Sequence, residues 1–143
     1  MQKSFWIKIA VFGLCIAIIF AGWAFDNAWA KKYDLELVFI SNETPYATQE
    51  DVVDFTVRVT KDGKPCSNHE ISASCSRGQL NVMLVRTDEN GYADFSYAPY
   101  NENRYVKAEE VFFEIADLSN SIFVEVHAQL EFSIKLRSIE EKV

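Results

Sequence analysis

The 143 residues include 14 Lys and Arg against 21 Asp and Glu, for a formal net charge of −7, and 49% of them are hydrophobic. That length holds one domain of ordinary size, and basic residues scattered singly among acids exclude a surface built to bind a phosphate backbone. The hydrophobic excess lies before Ala30; the remainder has the charged fraction of a globular surface, which excludes a disordered chain.

Met1 to Lys8 carries Lys3 and Lys8, and Ile9 to Phe25 is an uncharged apolar run of 17 residues. This is the layout of an export signal, and Ala28-Trp29-Ala30 fits the small-x-small rule for its removal. The run is also just long enough to cross a bilayer as an uncleaved signal anchor, with Trp23 and Trp29 as interfacial anchors. Residues 1–30 are therefore expected to be a signal peptide or signal-anchor helix, and residues 31–143 a single domain. Either way the positive charges before the apolar run keep the N-terminus in the cytoplasm and send the domain across. Cys15 lies in the middle of the run after Leu14, which disfavours lipidation.

From Tyr33 onward short alternating runs are separated by turn residues, the period of half-buried strands. Leu35, Leu37 and Phe39 predict the inward side of a first strand. Residues 42–50 read as a loop containing Pro45. Phe55, Val57 and Val59 alternate with polar residues in a second strand, closed by a turn at Lys61-Asp62-Gly63-Lys64-Pro65, where Pro65 is expected to stay off the ladder. Ile71, Ala73 and Cys75 predict the next inward face. Val82 to Thr87 predicts a fourth strand, and Asp88-Glu89-Asn90-Gly91 a hairpin turn into Ala93, Phe95 and Tyr97. Beyond a polar loop at Pro99 to Arg104, strands are expected at Val106–Ala116, Ile122–Val126 and Leu130–Leu136. Seven to eight strands suit an all-β immunoglobulin-like sandwich preceded by a hydrophobic helix.

Phe55-Thr-Val-Arg-Val-Thr-Lys-Asp-Gly-Lys-Pro65, followed by Thr87-Asp-Glu-Asn-Gly-Tyr-Ala-Asp-Phe95, resembles the bacterial Ig-like domains of the invasin and intimin type. The likeness covers about residues 52–98 and rests on the Asp-x-Gly-x-Pro turn and the Thr-Asp-x-x-Gly-x-Ala hairpin. It implies an extracytoplasmic sandwich serving as spacer or adhesive module, with no active site to carry over. Transthyretin-like hydrolases use a similar turn, but the C-terminus Ser138-Ile-Glu-Glu-Lys-Val143 lacks the Tyr-Arg-Gly-Ser that their chemistry needs.

Few residues are candidates for a site. Cys66 and Cys75 in an oxidising compartment invite a disulfide. Fully extended, the segment would hold them about 30 Å apart, so a bridge requires residues 66–69 to fold back; the alternative is a buried Cys75 and an exposed Cys66. His69 and His127 lack metal-ligand spacing, and Asp88-x-Asn90-Gly91 begins like a calcium loop but fits a turn better. No cofactor is expected, and no enzymatic constellation is present. Asn42-Glu43-Thr44 is a glycosylation sequon with meaning only in a eukaryotic secretory route. Tyr97, Tyr100 and Tyr105 flank or lie near the polar loop and could stack on a sugar. Val111-Phe112-Phe113 places apolar side chains on both faces of one strand, so Phe112 or Phe113 is either core or an interface anchor. The composite expectation is a non-enzymatic envelope module, periplasmic, surface-borne or secreted. Its expected partners are other envelope or surface proteins, and the membrane itself through residues 9–25 if the helix stays. The alternative is a sandwich binding a carbohydrate or other small polar ligand.

Overall fold

The computed structural model describes residues 2–30, 32–119 and 127–142. One helix, α1 (Gln2–Ala30), comes first. At 1.5 Å per residue it is about 43 Å long, more than the roughly 30 Å of a hydrocarbon core. Among the described residues it is the helix long and apolar enough to cross a membrane.

Among the described residues nine strands follow: β1 (Tyr33–Ile40), β2 (Val53–Lys61), β3 (Lys64–Pro65), β4 (Glu70–Cys75), β5 (Gln79–Leu80), β6 (Leu84–Arg86), β7 (Tyr92–Ala98), β8 (Glu110–Asp117) and β9 (Ala128–Lys135). They form two antiparallel sheets. The first runs β1-β2-β7-β5 with β3 also on β2, and the second runs β6-β4-β8-β9. Because β7 pairs with β2, and β8 with β4, strands distant in sequence become neighbours, as in a Greek key. The expected all-β immunoglobulin-like sandwich is the observed architecture.

Alternation decides what faces inward. In β2, Phe55, Val57 and Val59 are buried, as are Ala93, Phe95 and Tyr97 of β7 and Val111, Phe113 and Ile115 of β8. The inward rings meet across the sheets. Phe113 lies 5.5 Å from Phe55, 4.9 Å from Tyr97 and 4.9 Å from Phe132, centroid to centroid. Edge-to-face and offset rings at such distances add to the burial term, so Phe113 fastens one sheet to the other.

The structure departs from the sequence expectations at several places. The register of β1 on β2 slips between Leu37 and Phe39, so the extra residue turns Phe39 outward, 54% exposed, and returns Ile40 to the inner side. Lys64 and Pro65 do join the ladder, opposite Lys61 and Thr60, after a two-residue turn in which Asp62 and Gly63 both have positive φ. A short edge strand accommodates the missing proline N–H. The run 82–87 yields only the three-residue β6, and the two-residue β5 before it was not anticipated. Strand β8 begins at Glu110 rather than Val106. The strand expected at Ile122–Val126 lies outside the described residues.

Candidate functional site

Register places the outward residues of the second sheet in rows. Phe112 of β8 stands opposite Ser133 of β9, Glu114 opposite Glu131, and Glu110 opposite Lys135. Beyond the end of β4, Ser76 clasps Phe112 from the other side: its N–H donates to the Phe112 carbonyl at 2.9 Å and its Oγ accepts from the Phe112 N–H at 3.0 Å. The Phe112 ring is thus held by a fixed backbone yet is 58% exposed. Around it opens a cleft of about 580 Å³ lined by Ser74, Cys75, Ser76, Phe112, Phe113, Glu114, Glu131, Phe132 and Ser133. An exposed aromatic ring beside carboxylates and small hydroxyls can receive a side chain that is both cationic and flat; at the cleft wall the Ser133 hydroxyl donates to Glu110 Oε1 at 2.6 Å.

The five aromatic candidates separate. Phe113 (2% exposed) and Tyr97 (0%) belong to the core, where neither offers surface to a partner. Burial pushes the Tyr97 phenol well above its ordinary range, and its hydroxyl donates to the Arg77 carbonyl at 2.8 Å. The Tyr100 hydroxyl is taken by the Lys107 carbonyl and the Glu109 N–H, with Arg77 over its ring. Tyr105 is 86% exposed. Arg104 lies over the Tyr105 ring at 5.8 Å, and one buried ring and two that each carry an arginine do not make a common platform for a sugar.

The anticipated Cys66–Cys75 bridge is not formed, and both thiols are free. The Cys66 N–H donates to the Val59 carbonyl and keeps that residue beside β2 in the first sheet. Cys75 ends β4 in the second sheet, about 17 Å along the strand from Glu70. Burial raises both thiols above their ordinary range; for Cys66 the nearby Asp117 charge adds to the effect.

His69 is engaged rather than alone: its Nδ1 lies 2.7 Å from Asp117 Oδ2, and that carboxylate is 1% exposed. Its N–H donates to Thr87 Oγ1, and Tyr33 packs against its ring. Asp88 is likewise consumed by its turn, accepting from the N–H groups of Asn90 and Tyr92. Among the described residues no group of three His, Cys, Asp or Glu is arranged to hold a metal.

The Trp29 ring near the end of α1 meets the sandwich. Lys32 and Lys61 each place their ammonium 4.7 Å from the Trp29 centroid, and Lys61 also lies 5.3 Å from Tyr33. Asp26 and Trp29 were not foreseen as part of a junction, and Asp26 is fully buried.

A two-sheet Greek-key sandwich with these turns defines an immunoglobulin-like domain, and comparison with known proteins agrees. The chain is 36% identical over 61 residues to intimin of Hafnia alvei, and 40% identical over 50 residues to intimin of Escherichia coli O127:H6. It carries a partial match of the invasin and intimin type. These segments are 43% and 35% of the chain but only 22% and 5% of the relatives, so the chain spans a small part of their length. No protein-family profile matches. A solved C-terminal intimin fragment in complex with the intimin-binding domain of its translocated receptor superposes with a TM-score of 0.54 at 22% identity, over 71% of this chain and 32% of that one. A Yersinia pseudotuberculosis adhesin superposes with a TM-score of 0.56 at 13% identity, over 73% and 32%. Both are likenesses of fold.

Proposed function

We propose that this chain is a membrane-anchored, non-enzymatic interaction module of a bacterial cell envelope. Its sandwich stands on the extracytoplasmic side and recognises another envelope protein through the outward face of the second sheet. The observation that carries the reading is Phe112, a large ring left 58% exposed near the start of β8 and set in a cleft. Buried aromatic anchors in pockets dominate protein interfaces, and it is the ring's place in a cleft, on a face that also exposes Leu84 of β6, that supports the reading.

The anchor is α1. The Trp29 ring between Lys32 and Lys61 gives the helix a contact with the domain that removal after Ala30 would abolish. Intimin relatives supply the protein-binding analogy, which extends here to the kind of contact and not to the partner.

Photocrosslinking in native membranes tests the reading. A benzophenone side chain at position 112 is expected to yield a discrete adduct with a second protein, and one at position 56, on the opposite sheet, to yield none. Adducts absent from every outward position of the second sheet would overturn the interaction reading. An intact mass starting at Lys31 would overturn the anchor.

A further inference from the structure

On the outward face of the second sheet, charge is matched everywhere except at one row. Glu110 stands opposite Lys135, whereas Glu114 stands directly opposite Glu131. Residues so paired have Cβ atoms about 5 Å apart, and like charges there destabilise a sheet. The arginines on this sheet and at its edge are committed elsewhere: Arg77 to Glu109 at 3.7 Å and Arg86 to Glu70 at 3.6 Å. No ion pair or hydrogen bond among the described residues engages the Glu114 or Glu131 carboxylate. Both line the cleft around Phe112.

We propose that this row is the receptor for an arginine side chain of the partner protein, its guanidinium shared by the Glu114 and Glu131 carboxylates while its plane lies on the Phe112 ring. The inference rests on the interaction reading above and names the chemistry of its partner. Charge complementarity selects a cation, and the ring selects among cations. A guanidinium is flat, weakly hydrated and carries five donors in a fixed fork, so it can bridge two carboxylates and stack on an aromatic face together. A lysine ammonium, compact and strongly hydrated, makes poorer use of the ring. Ser74, Ser76 and Ser133 keep the floor of the cleft shallow and polar, which leaves room for a planar head with an apolar stem. The Glu114 and Glu131 opposition is thus a local cost in the free chain that binding removes.

The test uses the full chain, isotope-labelled in detergent micelles, and a blocked peptide Ac-Leu-Arg-Leu-NH2 as probe. Saturable amide shifts at residues 112–114 and 131–133 are expected, at least tenfold weaker with the citrulline peptide, which keeps the shape and loses the charge. E114Q/E131Q is expected to lose at least tenfold in apparent affinity while its melting temperature rises by about 2 °C, the relief of the opposed charges; that rise separates lost recognition from lost folding. Equal response to the two peptides, shifts confined to other faces, or shifts at Glu114 and Glu131 with millimolar calcium and none with the peptide would each overturn the proposal. If position 112 still forms its adduct undiminished in E114Q/E131Q, the arginine inference falls and the interaction reading stands; if no position on the sheet forms one, both fall.

Discussion

The two sheets differ in what they turn to solvent: each exposes a phenylalanine, Phe39 in the edge strand β1 of the first and Phe112 in the inner strand β8 of the second, but their polar groups are arranged differently. On the first, the polar side chains satisfy one another: Thr56 donates to Asp94, Ser96 donates to Asp54, and Arg58 lies over Tyr92 and donates to the Asn90 carbonyl. On the second, an exposed ring and two opposed carboxylates are left without such partners among the described residues. The scaffold is shared, so the difference arises only from which outward residues fall opposite each other. A face whose groups are already paired gains little from a partner, because binding must break what is made; one with an open ring and matched-sign charges has everything to gain.

The largest effect that would sharpen this contrast comes from adjacent residues of β8. Phe113→Ala removes the ring that joins both sheets and is expected to cost about 3–5 kcal/mol in urea unfolding of the micelle-bound chain. Gly91→Ala comes next: at φ 79° its Cβ would sit 2.5 Å from the Val59 carbonyl oxygen, so a loss of about 1–3 kcal/mol is expected by the same measurement. On the first face Asp94→Ala is expected to cost about 0.5–1.5 kcal/mol through the hydrogen bond from Thr56; no loss would break the claim that this face is internally satisfied. Phe112→Ala, one residue from the costliest site, is expected to stay within about 0.5 kcal/mol, and a larger loss would show its ring to be structural.

The smallest effect concerns the free thiols. Burial favours the neutral form of Cys66 and Cys75 and raises both above the ordinary 9.0. Their folded pKa exceeds the unfolded one, so this contribution to stability is complete below pH about 9 and declines as pH rises through the folded values. Alkylation by iodoacetamide at pH 8 is expected to be slower in the folded chain than in urea, and the intact mass to show no loss of two hydrogens.

Much of the fold was legible because period-2 alternation in β2, β7 and β9 reports directly which side chains face inward. Asp62-Gly63 and Asp88 to Gly91 marked their turns through residues that tolerate positive φ. Other features depend on contacts no local pattern holds. The slip in β1 that exposes Phe39 follows from pairing with β2, and β5 is too short to carry a period. Of the candidate site, the double-sided run at Val111-Phe112-Phe113 was visible, but which phenylalanine faces out depends on the strand's phase. The opposition of Glu114 and Glu131 needs the β8–β9 register, which residues 118–127 separate in sequence. The disulfide expectation failed for a related reason: compartment and cysteine count say nothing of β4 carrying Cys75 away from Cys66.

Only Lys31 and Lys32 separate the last residue of α1 from the first of β1. In the anchored form that brevity makes the sandwich a post rather than a pennant. Its longest strand, nine residues in β2, measures about 30 Å, so the outward face sweeps only a thin layer above the bilayer. A partner must come to that height, and one anchored in the same membrane would search in two dimensions at a high local concentration. A weak contact at a shallow cleft would then be sufficient to hold the two together.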